Sequence, residues 1–305
     1  MDVSLQQLRM LREVATRGTI AAAADSLGYT ASAVSQQLGG IEKATGVAVL
    51  ERVGRNVRLT DPGRELVRHA TGVLDRMEAA QVAMEQVSNE VRGVLTLTVY
   101  ESVAATLLAP LLARLGEAHP DLDIRTRQLD PEWSLDALTA GDIDLAFAID
   151  YPHAPVAGRQ GIIRHPIKDD RFHLVVPDDD PLRGPCASLT DVADRRFITS
   201  PMELTCGRCV VVACRDAGFE PDIHHELDDY PTALHLVAAG LGVALVPDLG
   251  LVHVPAGVRT LDIDPPVSRT IQLAYRTVSA ERPAVIAVRD TLLEVVADLE
   301  QSEHH

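Results

Sequence analysis

The side chains best suited to reaction chemistry in this 305-residue chain are clustered in Cys206-Gly-Arg-Cys209, with Cys214 five residues further on and His224-His225 beyond it. A C-x-x-C pair is a spacing used for thiol redox chemistry and for zinc, and at the start of a predicted helix a thiol loses its proton more readily. No second C-x-x-C is present in the sequence to complete a zinc site, and Cys209 and Cys214 are well explained as small apolar residues on the inner face of a helix. Packing is therefore the favoured reading of these cysteines, and a redox pair Cys206/Cys209 the alternative. With Cys186 as the fourth cysteine, no disulfide framework is expected. The sequence carries no G-x-S-x-G elbow, P-loop, H-E-x-x-H pair or Rossmann fingerprint, so no enzyme, cofactor or metal is expected. Gly240-Leu-Gly242 follows a helix and precedes a strand, the reverse of the order a nucleotide loop needs.

A second set of polar residues is spaced for reading rather than reaction. Thr30, Ser32, Ser35, Gln36 and Gln37 fall at the start and on the outer side of a helix predicted over 31–44, whose inner stripe is Val34, Leu38 and Ile41. Thr30 is its expected N-cap. The helix follows a short alanine-rich one over 20–27, closed by Gly28, and a first helix marked by Leu5, Leu8, Leu11 and Val14. Strands at 47–52 and 56–60, turning at Gly54, bring Arg52, Arg55 and Arg58 alongside. These elements make a winged helix-turn-helix: the third helix enters the major groove of double-stranded DNA and the wing arginines hold phosphates. A generic three-helix domain with a solvated polar face is the competing reading.

The residues themselves favour the DNA reader. The stretch from Ala15 to Gly46, with Ala22-Ala23, Leu27, Ala33-Val34-Ser35-Gln36 and Ile41-Glu42, continues into Leu50-Glu-Arg52 and Leu59-Thr60 before Gly63. This pattern resembles the DNA-binding domain of LysR-type transcriptional regulators. The sequence departs from that pattern at Ala31-Ser32, Leu50 and Gly39-Gly40. Each glycine inside a helix costs on the order of 1 kcal/mol relative to alanine, so a somewhat soft recognition helix with fewer base contacts is expected. Shape readout would then carry more of the specificity.

Between 61 and 90 apolar or small residues recur every seven positions, in one set Ala70, Met77, Met84 and Val91 and in the other Leu66, Val73, Ala80 and Val87. This a/d pattern predicts a linker helix that pairs two chains into a homodimer. The resemblance further implies a homotetramer built as a dimer of dimers, and RNA polymerase among the partners.

From residue 91 onward, strands and helices alternate, the signature of an α/β architecture with mainly parallel sheets. Two lobes are expected, one over about 91–165 and 268–305 and the other over about 166–267, with a ligand cleft between them at the strand exits. Gly141-Asp-Ile-Asp-Leu-Ala146, Gly218-Phe-Glu-Pro221 and Val237-Ala-Ala-Gly-Leu-Gly-Val243 resemble segments of the LysR-type effector domain, which is similar to periplasmic solute-binding proteins. The expected cleft residues are Glu101, Ser102, Asp130, Trp133, Asp150, Tyr151, Thr199, Ser200, Met202, Thr205 and Asp228. Helix starts at Ser102 and Thr205 suit an anion, whereas Glu101, Asp130, Asp150 and Asp228 favour a cationic or amine-bearing effector; loop carboxylates facing bulk water are the plain alternative.

Charge divides along the same boundaries. The formal net charge is −16, yet residues 1–60 hold seven Lys/Arg against five Asp/Glu, residues 61–90 three against six, and residues 91–305 18 against 33. Nonspecific coating of nucleic acid is thus excluded for the whole chain, while a small, mildly basic reader remains. No signal peptide or membrane span is expected, and a cytoplasmic location follows. The combined expectation is a small-molecule-responsive DNA-binding regulator, with a thiol-sensing regulator or a solute-binding or enzymatic α/β protein as alternatives.

Overall fold

The computed structural model describes residues 2–303 except 54, 55, 89, 153, 156 and 157. The expectations for the Gly54 turn and for Arg55 therefore lie outside the described residues. The chain divides into two units, Met1–Glu90 and Val91–His305.

In the first unit each helix starts and stops where the local chemistry dictates. Helix α1 (Leu5–Arg17) opens on a capping box between Ser4 and Gln7 and closes on Gly18 with φ 74°. Helix α2 (Ile20–Leu27) is capped by Thr19, and α3 (Ala31–Thr45) by Thr30. Strands β1 (Leu50–Val53) and β2 (Asn56–Leu59) pair antiparallel as the wing. Met10, Leu11, Val14, Ala23, Ala24, Val34, Leu38, Ile41 and Val49 form one core; a fully buried Val, Leu, Ile or Met side chain contributes about 1.5–3 kcal/mol. The two glycines of α3 have different surroundings. A Cβ at Gly40 would lie 2.7 Å from the Gln7 amide nitrogen, which donates to the Gln37 carbonyl, whereas Gly39 faces open space.

Helix α4 (Asp61–Ser88) is 28 residues long, about 42 Å at 1.5 Å per residue. Its start is fastened to the wing. Thr60 donates from its hydroxyl to the Ala48 carbonyl at 2.7 Å and accepts the Gly63 amide at 3.0 Å, and a Cβ at Gly63 would fall 2.0 Å from the Val49 carbonyl oxygen. The predicted seam divides in two. Leu66 packs partly on the core and Ala70 is buried, while Val73, Met77, Ala80, Met84 and Val87 are exposed.

The second unit is built on β3 (Gly93–Val99), β4 (Leu122–Gln128), β5 (Leu145–Asp150), β6 (Ile162–Pro177), β7 (Cys186–Ala187), β8 (Arg196–Thr199), β9 (Asp222–Glu226), β10 (Val243–Pro247), β11 (Val258–Ile263) and β12 (Ser268–Arg276). Its helices are α5 (Glu101–Val103), continued through a π turn into α6 (Ala109–Ala118), then α7 (Pro131–Ala140), α8 (Thr205–Asp216), α9 (Tyr230–Ala238) and α10 (Pro283–Glu303). The strand order is β4-β3-β5-β12-β6-β10-β8-β9, with β11 beside β6 and β7 on β11.

The sheet is mixed, which corrects the expectation of mainly parallel pairing. Strands β3, β4 and β5 are parallel, as are β8, β9 and β10, but β12 runs antiparallel to both its neighbours and β6 runs antiparallel to β10 and β11. The cause is the lobe crossing itself. β6 is one 16-residue strand whose first part, to Arg171, pairs with β12 and whose second part, from Phe172, pairs with β10. The expected lobe boundary at about 165/166 therefore falls inside a strand, and β12 returns from the second lobe beside it. No described helix is long and apolar enough to cross a membrane.

Candidate DNA-reading face and effector cleft

On α3, Ser32, Ser35 and Gln36 are exposed, at the three- and four-residue spacing that lines one helix face. Gln37 is half-buried, and Thr30 spends its hydroxyl as the cap, accepting the Ala33 amide at 3.2 Å. Arg52 is exposed on β1. Arg58, opposite Glu51 in the hairpin register, is ion-paired to it at 2.6 Å, so a phosphate must compete with that carboxylate. Tyr29, in the turn before α3, is exposed and its hydroxyl accepts from the Gln6 amide at 2.9 Å. It was not among the expected residues, although an aromatic in the turn leading into the recognition helix was the available signal.

The second unit holds a cavity of about 150 Å³ lined from both lobes: Tyr100, Glu101 and Ser102 after β3, residues 128–132 after β4, Tyr151 after β5, Leu204, Thr205 and Cys206 at the start of α8, Asp228 and Tyr230 before and in α9, and Arg269 on β12. Its floor is an ion pair. Arg269 and Asp170 are both buried; the guanidinium donates from Nε at 2.8 Å and lies at 2.7 Å through Nη2, both to Asp170 Oδ2, and Nη2 also donates to Ser102 Oγ at 2.9 Å. The other Asp170 oxygen accepts the Leu249 amide at 3.0 Å. The guanidinium carbon lies 5.9 Å from the Tyr100 ring centre and 5.8 Å from that of Phe172. Burial pushes the hydroxyls of Tyr100, Tyr151 and Tyr230 above the ordinary phenol range, so all three remain protonated donors.

Carboxylates surround this floor. Glu132 on α7 reaches across to α8, taking Arg208 Nη2 at 2.8 Å and the Thr205 hydroxyl. Glu101 accepts the Tyr230 amide at 3.4 Å, Asp130 caps α7 through the Glu132 amide at 2.9 Å, and Asp228 accepts the Ser200 hydroxyl at 2.9 Å. Burial first, and then the charges of Asp229 and Asp228, raise the Glu101 carboxyl above its usual range; burial, then Glu132 and Asp228, do the same for Asp130.

Of the expected cleft residues, Glu101, Ser102, Asp130, Tyr151, Thr205 and Asp228 line this cavity. Five do not. Trp133 is 62% exposed on α7, Asp150 turns to Arg164 at 3.7 Å, and the carbonyl of Met202 accepts from Arg208 at 3.3 Å. Thr199 and Ser200 line a smaller neighbouring pocket, where Ser200 holds Asp228 from behind. The physical reason is alternation: successive residues at a strand exit point to opposite sides, which separates Asp150 from Tyr151. Tyr100, Gln128 and Arg269 line the cavity but were not expected there.

Two family descriptions match the chain: the LysR substrate binding domain over residues 88–297 and the bacterial regulatory helix-turn-helix protein of the lysR family over residues 5–64. The chain belongs to the LysR family of transcriptional regulators. Similar to this LysR-family chain is a probable hydrogen peroxide-inducible genes activator of Mycobacterium leprae, 30% identical over 98% of this chain and 94% of that one. The transcriptional dual regulator GltC of Bacillus subtilis is 26% identical over 81% of each. Among solved structures, a full-length OxyR variant from Pseudomonas aeruginosa has a TM-score of 0.73 at 20% identity, covering 96% of this chain and 95% of that one. CbnR in complex with its target DNA has a TM-score of 0.54 at 21% identity, covering 96% and 100%. These two likenesses establish the fold.

The cysteines of this LysR-family chain occupy different environments. Cys206 faces the cavity, its Sγ 3.2 Å from the Tyr230 hydroxyl. Cys209 and Cys214 are buried in the core, and burial pushes each thiol up to about 12. Gly207 lets α8 come close: a Cβ there would lie 2.2 Å from the Ser200 carbonyl oxygen.

Proposed function

We propose that this LysR-family regulator binds a two-fold symmetric double-stranded operator as a homodimer, and that a small molecule in the cleft changes that binding. The observation that carries the reading is the Arg269–Asp170 pair, which faces the cavity and also reaches the Leu249 amide of the second lobe. Glu132 and Arg208 add a second connection between the lobes, at the cavity wall. A ligand that prefers one arrangement of these contacts shifts the population of lobe arrangements by its difference in affinity. Pairing of two chains is supported by Val73, Met77, Ala80, Met84 and Val87, which leave a four-three apolar stripe exposed on α4. Assembly as a dimer of dimers, contact with RNA polymerase and a cytoplasmic location complete the proposal.

A gel shift on the DNA upstream of its own coding region tests it: a retarded band that sharpens or weakens with effector is expected, and a solute-binding protein or enzyme gives no shift. Met77→Glu with Met84→Glu should leave a folded monomer in sedimentation, with the operator bound weakly.

A second reading is favoured by Cys206, the cysteine that lines the cavity, together with relatives named as hydrogen peroxide-inducible activators. In that reading Cys206 acts alone, because Cys209 and Cys214 are buried with thiols raised to about 12. Peroxide should then alter operator binding by the full chain and not by Cys206→Ser; an unaltered free-thiol count and an unaltered gel shift after peroxide would exclude it.

A further inference from the structure

The charges around the cavity do not balance, and this determines what the cavity can hold. Two arginines stand at or beside it, and both are already engaged: Arg269 with Asp170 at its floor and Arg208 with Glu132 at its wall. The start of α8, which would otherwise attract an anion, receives the chain's own Glu132 carboxylate through the Thr205 hydroxyl. Glu101, Asp130 and Asp228 face the same cavity, and among the described residues none of them has an ion-pair partner; each accepts one hydrogen bond from an amide or a hydroxyl. A second, independent observation is Tyr100: it lines the cavity, its hydroxyl is buried, and that hydroxyl has no hydrogen-bond partner. A buried donor without a partner is costly, so a group that accepts from it is selected.

We infer that the effector is a small organic cation, an amine that also carries a hydrogen-bond acceptor, with its ammonium group among Glu101, Asp130 and Asp228 and its acceptor on the Tyr100 hydroxyl. The inference rests on the reading of the cleft as the effector site. A carboxylate ligand would enter beside three carboxylates, Glu101 and Asp130 half-buried and Asp228 exposed, and among the described residues lining the cavity no unengaged cation receives it, so that like charges meet with nothing to offset them. A neutral ligand leaves the same three groups unpaired. An ammonium group supplies three donors, one for each of the three carboxylates.

The test uses the full-length chain, with thermal shift and calorimetric titration against amines bearing an acceptor (ethanolamine, glycinamide, lysine methyl ester) and against acetate, glutarate and benzoate. Saturable stabilisation by one or more of the amines is expected. Glu101→Gln with Asp228→Asn should then weaken that amine by at least about tenfold, and Tyr100→Phe by a few-fold, as expected for charged and neutral hydrogen bonds respectively. The melting temperature of each unliganded variant shows whether it folds, and Tyr100→Phe, which removes one oxygen, keeps the test open if the double variant does not. Stabilisation by carboxylates alone overturns the amine assignment and leaves the effector cleft standing. Undiminished amine binding in the folded double variant also overturns it. If neither class moves the melting temperature or the operator gel shift, the effector cleft falls as well.

Discussion

The two ligand-facing surfaces of this chain are built in opposite ways. On α3 the residues proposed to face DNA, Ser32, Ser35 and Gln36, are exposed, opposite a core made by Val34, Leu38 and Ile41 on the other side of the same helix. In the cleft, Arg269 and Ser102 line the cavity and yet belong to the interior, buried, with Arg269 hydrogen-bonded both to Ser102 and to the buried Asp170 behind it. The reader can therefore change its sequence preference without disturbing its fold, whereas the cleft cannot exchange its floor without disturbing the lobes that rest on it.

Four measurements put that contrast to the test. The largest effect is expected from Arg269→Ala, which strands a fully buried Asp170; a loss of about 3–5 kcal/mol in the urea unfolding of the second unit is expected. A transition unmoved by this change would mean that floor and fold are separable after all. Next comes Gly63→Ala, whose Cβ would stand 2.0 Å from the Val49 carbonyl. It should destabilise the first unit by about 1–3 kcal/mol, as overpacking does, in an unfolding curve followed by circular dichroism. On the exposed face of α3, Gln36→Ala should weaken specific operator binding by about 1–3 kcal/mol, if it reads a base edge, with the melting temperature unchanged. A lowered melting temperature there would remove the distinction between the two surfaces.

The smallest effect concerns pH. His173 lies between Asp248 at 2.6 Å and Asp262 at 3.1 Å, and the hydrogen bond to Asp248, with the charges of both aspartates, raises its pKa against the opposing effect of burial. The imidazolium is thus favoured in the folded state, and its contribution is complete below the unfolded value of about 6.5 and is lost as the pH rises through the folded value. Urea midpoints of the second unit should fall across that window in the parent chain and less steeply in His173→Gln. Glu101 and Asp130, whose carboxyls are also raised, act with the same sign at more acidic pH.

How much of this was legible beforehand follows from how local each feature is. The three helices of the reader, the cap at Thr30 and the glycine that ends α2 depend on neighbours within a turn, and the sequence pattern located them to within a residue or two, while the cap at Thr19 went unread. The cleft is assembled from segments between Tyr100 and Arg269, and topology indicated which strand ends meet there without indicating which side each residue faces. Arg269 was invisible for another reason. An arginine in a β-strand reads as an exposed edge residue until its partner Asp170, 99 positions earlier, is known. The exposed seam of α4 was legible from its seven-residue period, but the burial of Ala70 within its own chain was not, since spacing alone cannot distinguish a partner chain from a neighbouring helix.

The crossing by β6 has a mechanical corollary. Its backbone is hydrogen-bonded to β12 before Arg171 and to β10 and β11 beyond it, so sliding by one residue would turn its side chains to the wrong face on both sides of the crossing. Shear along this strand is closed to the lobes. What is left is torsion about β6 and the return segment hydrogen-bonded beside it, so a change in lobe arrangement is expected to show as degrees of twist rather than as ångströms of separation.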